Sequence, residues 1–142
     1  MGVTIESKNC SIDMGYGGFL RLRRTVSRLC PVEVATHYMY FHDNLTLFLS
    51  DKKLCDAYDQ RTEQLYEEYL DKCGKVIDFL YAPDTGAKMD YETAEQLLEV
   101  IGEYDDDQIY GYAGWGPHAA RFADFKELLR DSAKTKSSFE WD

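Results

Sequence analysis

Ser11-Ile12-Asp13-Met14-Gly15-Tyr16-Gly17-Gly18-Phe19-Leu20-Arg21-Leu22-Arg23-Arg24-Thr25-Val26-Ser27-Arg28-Leu29 is the stretch on which the fold turns. A strand-like segment runs into three glycines within four positions, and a basic amphipathic pattern follows. Glycine sits where the backbone needs positive φ or where another group must come close. Gly15, Gly17 and Gly18 therefore predict a sharp change of direction between Ile12 and Phe19. From there Phe19, Leu22, Val26 and Leu29 recur at a spacing of three and four, which makes one buried stripe on a helix over about residues 18–30. Arg21, Arg24 and Arg28 repeat on a different face with Arg23 beside them, and Pro31 closes the helix.

A glycine turn feeding a helix leaves unpaired N–H groups at the positive end of the macrodipole, where an anion is stabilised. Guanidinium groups grip phosphate through two parallel hydrogen bonds. Residues 1–30 carry a net charge of +3, which leaves −13 for the rest of a chain whose total is −10. The candidate ligand-binding residues are accordingly Gly17 and Gly18 through their amides, Arg21 or Arg24 through side chains, and Tyr16 or Trp115 as stacking surfaces for a base. The commoner reading of such a charge run is a solvated or salt-bridged face packing on an acidic body. The spacing lacks the Lys-Ser/Thr of a P-loop and the third spaced glycine of a dinucleotide fingerprint, so nucleotide triphosphate hydrolysis is not supported.

Working outward, the 142 residues fit a single domain (1–142) long enough to bury a core. A hydrophobic share of 44% with 14% aromatics argues against disorder. Val3 and Ile5 alternate with Thr4 and Glu6 as a short strand, and Ser11–Met14 forms a second strand or continues the first. Residues 32–49 fit helix in part and alternating strand in part. Ser50 and Asp51 cap a long helix over about 52–72, which Gly74 interrupts before a short apolar helix over 76–81. Asp90 caps a helix from Tyr91 to about Gly102, residues 108–113 suit a strand, and a last helix covers about 119–133. The tail with Trp141 either offers a binding surface or folds back to finish the core. The expected class is α+β: a small N-terminal β element packed with about four to five helices, one of them long.

Chemistry is hard to find. Four cysteines, Cys10, Cys30, Cys55 and Cys73, contain no close pair, so reduced and mostly buried thiols are expected rather than zinc ligands. His37 and His42 lie five apart, not the four that places two ligands on one helical face. The run from Asp84 to Glu95 has the length of a calcium loop, but Lys88 and Met89 occupy positions that need an oxygen ligand and a glycine. No nucleophile elbow, zinc helix or kinase set is present. No catalytic residue, metal or cofactor is assigned, and a non-enzymatic binding protein is the expectation. The N-terminal Met1–Ile5 lacks the basic and apolar regions of a signal peptide and no run is long enough to span a bilayer, so a cytoplasmic protein without membrane contact is expected. The acidic balance disfavours direct binding to nucleic acid.

Ser11 to Phe19 with Arg21-Leu22-Arg23, together with Asp78-Phe79-Leu80, residues 109–113, residues 125–129 and Glu140-Trp141, resembles a group of small, uncharacterised proteins of bacteriophages and prophages in gut Firmicutes. The resemblance touches both ends of the chain and thins between Val32 and Lys75. It implies an accessory protein acting in the host cytoplasm against host defence. Such a protein would sequester an anionic small molecule, a nucleotide immune signal. Alternatively it would block a basic host defence effector as an acidic mimic of DNA, of the anti-CRISPR type, with Glu67, Glu68 and Asp105–Asp107 imitating phosphates. The long helix is compatible with a homo-oligomer.

Overall fold

The computed structural model describes residues 2–110 and 120–142. Four short strands, β1 (Val3–Glu6), β2 (Ser11–Met14), β3 (Ala87–Met89) and β4 (Phe139–Trp141), form one sheet in the order β2-β1-β4-β3. Every neighbouring pair is antiparallel, with Val3 opposite Met14, Ile5 opposite Trp141 and Met89 opposite Phe139. Among the described residues seven helices pack around it: α1 (Tyr16–Arg28), α2 (Val32–Asp43), α3 (Leu45–Ser50), α4 (Lys52–Glu68), α5 (Leu70–Tyr81), α6 (Tyr91–Ile101) and α7 (Phe122–Thr135). The class is α+β as expected, with more helices than the four to five anticipated. No helix among the described residues is long and apolar enough to cross a membrane.

The period-two pattern of β1 buries Val3 and Ile5 and turns Glu6 outward, and β4 does the same with Phe139 and Trp141 around Glu140. The C-terminal tail thus supplies an inner strand, and the two ends of the chain are bonded through Thr4 and Asp142. Phe79 of α5 is the hub of the core. Its ring lies 5.5 Å from Trp141, 5.8 Å from Phe125, 6.3 Å from Phe139 and 6.4 Å from Phe19. At the far end of α7, Asp131 accepts from the Ser7 hydroxyl, the Asn9 amide and the Asn9 side chain, which locks the β1–β2 turn onto the helix.

Residues 32–49, which read two ways in the sequence, are helical throughout apart from Asn44. Leu45, Leu47 and Leu49 alternate like strand residues but remain exposed on α3. The long helix expected over 52–72 ends at Glu68. Asp51 caps it as anticipated, its side chain accepting from Leu54 N–H. The break falls at Tyr69, and α5 then runs through Gly74 with its kink at Cys73, where φ is −152°. The sequence reading put the interruption at Gly74 because glycine is the usual breaker. Here Gly74 is buried and helical, and a methyl there would meet Leu70 Cδ1 at 3.1 Å. The kink exposes fresh N–H groups of the helix beyond it. Gln96 of α6 answers them, its Oε1 accepting from Lys75 N–H at 2.6 Å and Val76 N–H at 3.2 Å. A neighbouring helix caps this one. Asp90 caps α6 as expected, and Gly102 ends it at φ +56°. The last helix starts at Phe122, later than anticipated. Of the strand expected over 108–113, residues 111–113 lie outside the described residues, and the described part shows one bridge, Ile109 to Arg121.

The glycine run is resolved differently from its expectation. None of Gly15, Gly17 and Gly18 takes positive φ. Gly15 is the extended N-cap of α1, and Gly17 and Gly18 already belong to its first turn. Gly18 is needed for close approach: a Cβ there would lie 1.7 Å from the Tyr110 carbonyl oxygen, while one at Gly17 would meet nothing within 4 Å. Gly18→Ala is therefore expected to lower the unfolding free energy by about 1–3 kcal/mol. Gly17→Ala should leave it unchanged or raise it by up to about 1 kcal/mol. Urea denaturation of the two variants checks this, and equal effects would contradict the packing. Gln96→Ala, which strips two amides of their acceptor, should cost about 1–2 kcal/mol in the same assay.

Candidate functional site

A groove of about 590 Å³ opens beside the start of α1. Tyr16, Gly17, Leu20 and Arg23 form its α1 wall, and Tyr38, Phe41 and His42 form the α2 wall. The segment from Leu80 to Asp84 closes the third side. Gly15 offers no side chain to cap α1, so the positive end of a 13-residue helix lies at the groove without a capping group from its own N-cap.

Arg23 is the unexpected residue. The sequence reading grouped it with the basic face. Position 23 is four from Phe19 and three from Val26, so it falls within the apolar stripe, and Arg23 is only 5% exposed. Its guanidinium carbon lies 4.3 Å from the Phe19 ring centroid, 5.4 Å from Trp141 and 5.6 Å from Phe79. Nη2 donates to the Pro83 carbonyl and Nη1 to Asp84 Oδ1, each at 3.3 Å. The Trp141 indole N–H donates to the same Pro83 carbonyl at 2.9 Å. Burial lowers the Arg23 pKa, and Tyr38 and Asp84 oppose that. Guanidinium loses its proton only at very high pH, so the charge stays in place. Asp84 neutralises it weakly, because its carboxylate is 76% exposed to water.

Three polar atoms, two of them on residues that line the groove, are enclosed and have no hydrogen-bond partner among the described residues: Arg23 Nε, Arg24 Nε and the Tyr38 hydroxyl. Tyr38 is 1% exposed, with its ring 4.4 Å from His42 and 5.5 Å from Tyr81. Burial pushes the Tyr38 pKa up while Arg23 and Arg24 pull it down, so the hydroxyl keeps its proton and is a donor. An enclosed donor without an acceptor costs about 1–3 kcal/mol. Three such groups lie close together, each closed to solvent and unpaired among the described residues. His42 is held below the ordinary imidazole value by burial first, then by Arg24 and Arg23, against Asp84 and Asp43. Neighbouring His37 stacks on Tyr58 at 3.8 Å and shares a 2.7 Å hydrogen bond with Thr62. Its pKa is also lowered, chiefly by burial.

The residues anticipated from sequence are divided by the fold. Tyr16 and Gly17 line the groove. Gly18 is buried against the Tyr110 backbone, which removes it from the open face of the turn. Arg21 is exposed, and Arg24 is half-buried beside the groove with its Nε enclosed. Trp115 lies outside the described residues. Arg23, Tyr38, His42 and Asp84 also line the groove and were not anticipated there. For Arg23 the helical spacing to Phe19 and Val26 was the available signal; Tyr38, His42 and Asp84 reach the groove through tertiary packing that carries no local signature. Asp84 to Glu95 holds a turn, β3 and, as expected from Tyr91 on, the first turn of α6. No family model matches the chain, and neither a curated protein nor a solved structure matches it.

Tyr38→Phe removes an enclosed donor that has no partner, so it is expected to raise the unfolding free energy by up to about 1 kcal/mol, where most buried hydroxyl deletions lower it. A loss of stability in urea denaturation would show that the hydroxyl is satisfied. The folded state binds fewer protons at His37 and His42 than the unfolded chain does. Their contribution to stability is complete above the unfolded imidazole value of about 6.5 and is lost as pH falls below it. Thermal unfolding between about pH 8 and pH 5 should show this decline, and it should be smaller in a His37→Gln, His42→Gln double variant.

Proposed function

We propose that this protein binds an anionic ligand with an aromatic moiety, a nucleotide, in the groove beside the start of α1, and holds it without chemical change. The observation that carries the reading is the set of enclosed, unpartnered donors at Arg23, Arg24 and Tyr38 next to an uncapped helix N-terminus. The exposed ring of Tyr16 and the half-buried rings of Phe41 and His42 offer faces for a base, and the volume lies in the range of small-molecule sites. Sequestration fits the resemblance to phage accessory proteins, whose expected role is to remove a nucleotide immune signal.

A second reading is capture of a basic host protein. Asp56, Asp59, Glu63 and Glu67 recur at three and four along one exposed face of α4, and Glu63, Glu67 and Asp78 border a cleft of about 370 Å³. The cleft and the groove share Tyr81 and Ala82, but none of these acidic side chains lines the groove, so the two readings separate by mutation.

Calorimetry against mononucleotides, cyclic dinucleotides and ADP-ribose derivatives tests the first reading. At least one is expected to bind, and Arg23→Met should weaken that binding by about a hundredfold, in line with about 2–3 kcal/mol for a charge-assisted contact. Arg21→Glu, on the exposed face, should change it by about tenfold at most. No heat with any member of the panel, in protein shown to be folded, overturns the proposal.

A further inference from the structure

A second cleft, of about 370 Å³, lies between α4 and α5. Glu63, Tyr66 and Glu67 line it from α4, and Ile77, Asp78 and Tyr81 line it from α5. These positions fall at helical spacing, so each helix turns one face to the cleft. Its two tyrosine rings are held by the fold. Tyr66 packs on the bare backbone of Gly74, where a methyl would stand 3.5 Å from the ring's Cε2, and the Tyr81 hydroxyl shares a 2.7 Å hydrogen bond with Tyr58. Buried Ile77 supplies an apolar floor.

The charge in the cleft is all of one sign. No lysine, arginine or histidine lines it, and none of Glu63, Glu67 and Asp78 is in an ion pair among the described residues. Nor do carboxylates, thiols and imidazoles among the described residues form a group of three that could hold a metal ion. Carboxylates spread over two helix faces, around aromatic walls and an apolar floor, suit an elongated cation with a hydrocarbon stem better than a compact hydrated one.

We propose that this cleft binds an aliphatic polyamine, with one ammonium group among Glu63, Glu67 and Asp78 and the methylene chain over Ile77 between Tyr66 and Tyr81. A primary ammonium carries three N–H donors, and its hydrogen bonds to carboxylates are charge-assisted. The tyrosine rings attract the same cation through their faces. Beyond the cleft, Asp59 and Asp56 continue the acidic stripe along α4. Carboxylates one helical turn apart are separated by about 6 Å along the axis, which is close to the separation of two ammonium groups joined by a butane chain. Further ammonium groups of the ligand therefore find partners along the stripe. The net charge of −10 draws a polycation toward the surface. This site is independent of nucleotide binding beside α1, and it gives the cleft a small cation where a captured basic protein would place lysine side chains.

Calorimetry on the intact protein at neutral pH with putrescine, spermidine and spermine tests the proposal, with Mg²⁺, tetramethylammonium and a lysine-containing peptide as comparisons. Saturable binding is expected for spermidine, tighter for spermine and weaker for putrescine. Tetramethylammonium, which has charge but no N–H donor, should bind at least about tenfold more weakly than putrescine. Asp78→Asn and Glu67→Gln should each weaken spermidine by at least about tenfold. Glu99→Gln removes the same charge from the exposed side of α6, outside the cleft, and should change binding by about twofold at most. NMR of the Ile77 and Ala82 methyl groups in the unmodified protein reads the location without a variant, and both signals should move with spermidine and stay fixed with Mg²⁺. Equal weakening by Glu99→Gln, or Mg²⁺ binding as tightly as putrescine of the same charge, would reduce the effect to attraction by net charge and overturn the proposal. Tetramethylammonium binding as tightly as putrescine would also overturn it. Binding of the peptide without binding of any polyamine would overturn it in favour of protein capture. No polyamine binding to folded protein ends it and leaves the nucleotide reading of the α1 groove unaffected.

Discussion

A guanidinium held inside an aromatic core is the interaction around which this protein is arranged. Arg23 stands on α1, its charge faces Phe19, Phe79 and Trp141, and its two terminal nitrogens reach Pro83 and Asp84. That one side chain joins the first helix, the fifth helix, the last strand and the turn between α5 and β3. Desolvating a charge costs several kcal/mol. Contacts with aromatic faces return about 2 kcal/mol or more each when water is excluded, and the Pro83 carbonyl satisfies one nitrogen. The compensation is incomplete, because Nε is left without an acceptor. The sheet follows from the same constraint. Trp141 sits beside Arg23 and its indole N–H shares the Pro83 carbonyl, and it does so from β4, which lies between β1 and β3.

Incomplete satisfaction of buried donors is uncommon in folded chains, and here it is concentrated at one groove. Arg23, Arg24 and Tyr38 each keep an enclosed donor unpaired where α1 and α2 meet, beside a helix start with no capping side chain. A fold selected for stability alone would replace such groups with apolar ones at little loss. Their occurrence in one place is the observation on which the proposal of an anionic ligand rests. Aromatic rings of Tyr16, Tyr38 and Phe41 line the same groove.

Local patterns were legible where the physics is local. The alternation at Val3–Glu6, the caps at Asp51 and Asp90 and the apolar stripe of α1 are each set by neighbours in the chain, and each is found. The α4–α5 region was misread because a glycine was taken as the breaker, whereas the kink at Cys73 is stabilised by Gln96, which is 23 positions further on. Gly18 was assigned to ligand approach when it serves Tyr110, a contact between distant segments. The groove opens at the end of α1 to which the glycine run pointed, and the arginine that lines it is Arg23. Charge was assumed to face water, and the helical spacing that puts Arg23 on the inner face was outweighed by its side-chain type. Tyr38, His42 and Asp84 could not be found from spacing, since only the packing of α2 and of the turn after α5 against α1 brings them to the groove.

NMR of the arginine Nε–H groups, followed while a nucleoside 5′-monophosphate is added, addresses the central claim at its atom. The Arg23 Nε–H signal is expected to be visible and protected in the free protein and to shift to saturation on binding, while the signals of exposed Arg21 and Arg28 barely move. An Arg23 signal that stays fixed while Arg21 and Arg28 respond would contradict it, placing any bound phosphate on the outer face of α1 and leaving the buried guanidinium a purely internal group.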